Sequence, residues 1–122
     1  MAIKRLGLLI ATTGYVDQQL PGVPDGAAHL NDLAKVLQSP KIGGFALTVL
    51  IDPTAEATRS AIVNLLASSQ SDDLVLLYLA GHFIRQTDDS LFLALPASSR
   101  SDLENTALPA AFVQQRLKET AT

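Results

Sequence analysis

Three short apolar runs recur along the chain, Leu6–Ala11, Phe45–Ile51 and Leu74–Ala80, and the stretches between them carry helical rather than strand periodicity. That alternation is the pattern of βαβ units, in which a mainly parallel sheet is covered by helices on both faces. Continuous apolar runs, without a polar residue at every second position, are what strands buried on both sides require. The first run opens with Ile3-Lys4-Arg5 and leads into a Gly/Pro/Asp-rich loop over 14–26. A helix is expected from about Pro24-Asp25, because Leu30, Leu33, Ala34 and Leu37 fall at i, i+3, i+4 and i+7, and Ser39-Pro40 stops it. After the second run, Asp52-Pro53-Thr54 breaks the strand. Thr54 is the expected N-cap of a helix whose stripe is Ile62, Leu65 and Leu66, with Glu56 in its first turn. The third run ends at Gly81-His82. Beyond it the sequence predicts a polar loop over Arg85–Asp89, an extended piece over Leu91–Leu95, a loop over Pro96–Thr106, and a closing helix over Ala110–Lys118 behind Pro109.

The 122 residues make one domain, residues 1–122, with 48% apolar and only 17% charged residues, enough to fill a core. Twelve acidic residues against nine basic ones give a net charge of −3 with the cations scattered, so nucleic acid is not an expected partner. The longest apolar run is far shorter than the roughly 18–20 residues needed to span a bilayer. The basic start followed by Leu6–Ala11 is too short for a signal sequence, and Thr12-Thr13-Gly14-Tyr15 gives no small-x-small cleavage pattern. The expected place is therefore the cytoplasm, with no membrane partner. No cysteine is present, which removes disulfides, thiolate metal sites and a thiol nucleophile from this chain.

His82 is the leading site candidate. It follows a buried strand on a glycine hinge, at the carboxyl end where chemistry gathers in open α/β sheets, and a histidine there can move protons near neutral pH. His29 lies on the flank of the first helix and reads as a packed or solvent-facing side chain. Asp88-Asp89 lacks metal-ligand spacing and reads as a solvated loop, so no metal is expected. Ser98, Ser99 and Ser101 lack a nucleophile elbow and read as a flexible turn. Gly7, Gly14, Gly22 and Gly26 form neither a dinucleotide fingerprint nor a phosphate loop, so no cofactor is expected.

Taken together, Leu6-Gly7-Leu8-Leu9-Ile10, Leu33-Ala34-Lys35-Val36-Leu37, Ile42-Gly43-Gly44-Phe45, Asp52-Pro53-Thr54 and the run from Asp72-Asp73-Leu74 to Ala80-Gly81-His82 resemble the bacterial caspase-like cysteine peptidases of clan CD, the group that includes metacaspases and orthocaspases. The likeness extends through Leu91-Phe92-Leu93-Ala94 and the segment from Thr106 to Leu117. Its most specific element is the strand ending in small-Gly-His. Relatives usually read Ser-Gly-His-Gly where this chain reads Ala80-Gly81-His82-Phe83. A second departure is His29, which stands roughly where relatives carry an acidic residue.

The resemblance implies a caspase-hemoglobinase-like α/β fold, three-layer αβα with a mainly parallel sheet, of which this chain is the N-terminal portion, ending before the cysteine-bearing strand. It implies that His82 is the catalytic histidine and that the backbone N–H of Phe83 helps to hold the oxyanion, with Gly81 and Asp25 bordering the cleft. The nucleophilic cysteine would come from a C-terminal segment or a partner subunit. Leu74–Ala80 would be interior in the complete sheet, so its far side is expected to be an apolar edge. That edge would be covered by the missing part, another subunit, a second copy, or a rearrangement such as Leu91–Leu95 folding back. Three readings follow: a caspase-like endopeptidase subunit acting on peptide substrates, a silent pseudo-caspase that docks or dimerises through the edge, and a small Rossmann-like ligand-binding domain.

Overall fold

The structure, a computed structural model, describes residues 4–17, 20, 22, 26–41, 43–69, 72–86, 88–99 and 101–120. Strand β1 (Arg5–Ala11) leads to helix α1 (Gly26–Gln38), strand β2 (Ala46–Ile51), helix α2 (Ala55–Ser68) and strand β3 (Leu74–Ala80). These three strands form a parallel sheet in the order β2-β1-β3. The register runs from Leu6↔Ala46 to Ala11↔Ile51 on one side of β1, and from Arg5↔Leu74 to Ala11↔Ala80 on the other. The chain thus steps off β1 to one neighbour and then crosses to the other, and crossovers of fixed hand put α1 and α2 on opposite faces.

The side chains of β1 show this directly, because alternate residues point to opposite faces. Leu9 and Ala11 pack with Leu30 and Ala34 of α1, with Leu33 and Leu37 at the margin. Leu8 and Ile10 pack with Ile62 and Leu66 of α2. Both helical stripes are those read from the sequence. Thr54 caps α2 as its hydroxyl accepts the Ala57 N–H at 3.0 Å. The starts of β1 and β3 are stitched by Leu74 N–H to the Lys4 carbonyl, by Lys4 N–H to the Asp73 carboxylate and by the Lys4–Asp73 ion pair at 3.7 Å.

The second half of the chain departs from the sequence reading. Strand β4 (Phe83–Arg85), strand β5 (Leu91–Leu93) and strand β6 (Leu108–Pro109) form a small antiparallel sheet in that order. Arg85 therefore closes a strand instead of opening a loop. Leu91–Leu93 does fold back, but onto β4 and β6 and not onto the open side of β3. The expected loop over Pro96–Thr106 contains helix α3 (Leu103–Thr106), whose Leu103 packs with Phe92 and Ala107. Helix α4 (Ala110–Thr120) closes the chain and lays Phe112 and Val113 against the α2-side core. Arg59 and Arg116 sit at 5.8 and 5.3 Å from the centre of the Phe112 ring.

Strand β3 is the outer strand of its sheet, and among the described residues nothing pairs with its far side. No helix among the described residues is long and apolar enough to cross a membrane.

Candidate active site

The three parallel strands end level with one another, since Ala11 is in register with both Ile51 and Ala80. Their exit loops consequently meet at one edge, which is where a doubly covered parallel sheet presents its ligands. Thr12 N–H extends the ladder to the Ala80 carbonyl at 3.1 Å, and Asp52 N–H reaches the Ala11 carbonyl at 2.8 Å.

His82 leaves β3 at this edge. Gly81 before it has φ +154°, a conformation side chains rarely adopt, and a Cβ there would lie 2.9 Å from the Tyr15 hydroxyl. The His82 N–H donates to that same hydroxyl oxygen at 2.9 Å. The Tyr15 and His82 rings approach to 5.2 Å between centres at a tilt of 49°. On the other side the His82 carbonyl accepts the Ala94 N–H at 2.9 Å, beginning the β4–β5 ladder. Gln86 N–H continues that ladder to Ser90, so bonded pairs fall on the even-numbered residues and the Phe83 N–H faces away from β5. The Phe83 ring itself is 48% exposed.

Tyr15 is held in turn by the loop it belongs to. Asp52 stands at φ +56°, in the left-handed region that aspartate tolerates better than most residues. Its carboxylate accepts the Thr13 N–H at 2.6 Å, the Thr13 hydroxyl at 2.7 Å and the Gly14 N–H at 3.4 Å. Partial burial works to raise the Asp52 pKa, but the bonds from the Thr13 hydroxyl and the two N–H groups outweigh it and hold the carboxyl below its ordinary value. Beyond Tyr15, Val16 N–H donates to the Pro96 carbonyl at 2.8 Å. Burial pushes the Tyr15 phenol above its ordinary value, opposed in part by the His82 N–H, so it stays neutral through the physiological range.

The other sequence candidates separate from this cluster. Gly81 adjoins His82, whereas Asp25 lies outside the described residues. His29 is solvent-exposed on α1. Asp88 accepts the Ser90 N–H at 3.0 Å in an exposed turn, and among the described residues no three metal-ligating side chains come together. Ser98 is no flexible turn residue. It is 1% exposed, and its hydroxyl takes the Leu95 N–H at 2.7 Å and gives its proton to the Thr106 carbonyl at 2.6 Å. Beside it a cavity of about 320 Å³ is lined by Val16, Asp17, Ser99 and Ser101. A cavity of about 380 Å³ between Leu6, Thr48 and Leu65 lies toward the opposite ends of the strands, remote from His82.

Tyr15 and Asp52 were not among the candidates the sequence offered. The only local signals are an aspartate directly after a strand and an aromatic residue in a polar loop, both common and neither pointing to His82.

The arrangement presents a histidine at a sheet's carboxyl edge, with its backbone fixed on two sides and an outward N–H directly after it. No curated protein matches the chain. A family model of the caspase domain matches residues 4–120. With nearly the whole length matched and a parallel α/β core beneath it, the chain belongs to the caspase-domain family of peptidases.

Proposed function

We propose that this chain is the histidine-bearing part of a caspase-like cysteine endopeptidase and that His82 is its proton-transfer residue. The observation that carries the reading is the place of His82, on the Gly81 hinge at the carboxyl end of β3, where the exit loops of three parallel strands converge. Because the sequence contains no cysteine, the nucleophile is supplied by a further segment or by a partner chain. The open side of β3 is where such a strand would add, completing the ladder with main-chain hydrogen bonds.

The chemistry follows from the groups. The imidazole takes the thiol proton, and the thiolate attacks the peptide carbonyl carbon. The carbonyl π electrons move to oxygen, and in this reading the outward Phe83 N–H donates to the oxyanion. As the intermediate collapses, the C–N bond breaks and the imidazolium gives its proton to the leaving amine. Water, deprotonated by the same imidazole, then hydrolyses the thioester. A thiol nucleophile requires reducing surroundings, consistent with a cytoplasmic protein.

The test uses the native assembly purified from its source. Denaturing mass spectrometry is expected to release a cysteine-containing polypeptide beside the 12.9 kDa chain. His82→Ala is expected to lower peptide cleavage by about 10²–10⁴-fold without loss of assembly. An unchanged rate, or an assembly containing this chain alone, overturns the reading.

One observation favours a second reading. Phe83 stands where relatives carry glycine and is half exposed at the site, and Leu74 and Tyr78 are exposed on β3 at 53% and 41%. A silent module that docks a partner strand through β3 would bind without hydrolysis, and the same mass measurement with a peptide-library assay separates the two.

A further inference from the structure

A histidine that follows a glycine has a loosely determined place, because the peptide joining them can rotate about the glycine's ψ. In this chain that peptide is fixed by one side chain. The bond from the His82 N–H to the Tyr15 hydroxyl sets the plane between Gly81 and His82, and hence both Gly81 ψ and His82 φ. The Tyr15 ring then limits where the imidazole can swing. Gly81 permits the approach, since any Cβ would meet the hydroxyl at 2.9 Å.

Tyr15 can act this way only if its own backbone is held. It is bracketed on both sides: Thr13 and Gly14 are bound by the Asp52 carboxylate, and Val16 by the Pro96 carbonyl. Asp52, His82 and Pro96 come from separate parts of the sequence, and the bonds they make converge on the one loop over 13–16.

We propose that Tyr15 is the positioning residue of His82 and that Asp52 anchors it, so that a clamp from the exits of β1 and β2 holds the histidine at the exit of β3. This rests on the reading of His82 as the proton-transfer residue. Half-buried and neutral, the phenol adds no charge beside an imidazole that becomes cationic during turnover.

The clamp is testable on the isolated chain and on the assembly separately. The chain has two histidines, so ¹³C-histidine spectra report His82 with His29 as an internal control. Tyr15→Leu is expected to move the His82 ring signals toward free-histidine positions and narrow them, while His29 is unchanged. Tyr15→Phe keeps the ring but loses the acceptor. It is expected to preserve the fold, to speed His82 amide exchange about tenfold, and to shift the ring signals less. Asp52→Ala should reproduce the Tyr15→Leu changes, with Asp52→Asn restoring them in part.

In the cysteine-containing assembly, Tyr15→Phe is expected to lower kcat about tenfold or more with KM unchanged, the mark of a misplaced group and not of lost binding. His82 signals and amide exchange that stay at wild-type values in Tyr15→Phe and Tyr15→Leu overturn the clamp, whatever the activity. Signals that move while kcat holds overturn its role in positioning for catalysis. A wild-type assembly that cleaves nothing, with signals that move, supports the clamp as a structural device and overturns the peptidase reading instead.

Discussion

Strands β1 and β3 are paired residue for residue over seven positions and are both almost wholly apolar, yet β1 buries five of its seven residues fully and β3 buries none. Their sequences do not explain the difference, since Leu74-Val75-Leu76-Leu77-Tyr78-Leu79-Ala80 is at least as hydrophobic as Arg5-Leu6-Gly7-Leu8-Leu9-Ile10-Ala11. Position does. β1 has a strand on each side and a helix on each face, whereas β3 has one neighbour among the described residues. Hydropathy thus records the surroundings a strand is suited to, and β3 is suited to an interior place while standing at an edge. An apolar edge with unpaired N–H and C=O groups is a template for another strand. That is the physical basis of the proposal that a nucleophile-bearing strand adds beside it.

The largest effect should come from the cores themselves. Ile10→Ala, at a fully buried site of β1, is expected to lose about 4 kcal/mol of stability, and Leu77→Ala, on the same face of β3, about half of that. Urea unfolding of the isolated chain at two protein concentrations checks both. Equal losses that grow with concentration would show that β3 is covered in solution by a second copy, and the contrast between the strands would disappear.

The same contrast governs what the sequence made legible. β1, β2, β3, α1 and α2 were readable because each spans several turns or a full strand, long enough for its period to stand out and for Thr54 to mark a cap. β4, β6 and α3 were not, since elements of two to four residues carry no period and form only because Phe92 buries against Leu103 and Ala107 on one face while Leu93 and Leu108 bury in the α2-side core on the other. At the site, His82 was legible from a local signature, the strand-Gly-His ending. Its surroundings were not. The Tyr15–His82 bond joins residues 67 apart and the Asp52–Thr13 bonds residues 39 apart, and nothing near any of them foretells the pairing. Ser98 is ordered instead by a local pairing that composition does not signal, its hydroxyl bonding the Leu95 N–H three residues back and the Thr106 carbonyl eight residues on.

A smaller effect bears on the ends of the two strands. Gly81→Ala forces an L-residue into φ +154° and a Cβ against the Tyr15 hydroxyl, for an expected loss of about 1–3 kcal/mol. Thermal unfolding measures the loss, and the His82 amide signal shows whether the exit of β3 has moved. A loss below about 0.5 kcal/mol with an unmoved amide would mean that the exit of β3 is soft and that the hinge stores nothing.

The smallest effect tests whether the exit of β1 is the firmer of the two because a charge holds it. The Asp52 carboxyl lies below its ordinary value in the fold, partial burial being outweighed by the Thr13 and Gly14 donors. A depressed folded pKa stabilises the fold above the unfolded value, about 3.9 for aspartate, and that contribution is lost as pH falls through the folded value. Asp52→Asn tolerates the left-handed backbone and keeps a carbonyl acceptor, so it removes the charge with little added strain. The wild type is expected to be the more stable at pH 7, and its advantage over Asp52→Asn should shrink as pH drops below about 4. Urea midpoints at pH 7, 5, 4 and 3 decide it. A gap that stays constant with pH would show that neutral hydrogen bonding suffices at the Thr13–Gly14 turn. The exit of β1 would then be held as the exit of β3 is, by an uncharged acceptor facing a backbone N–H.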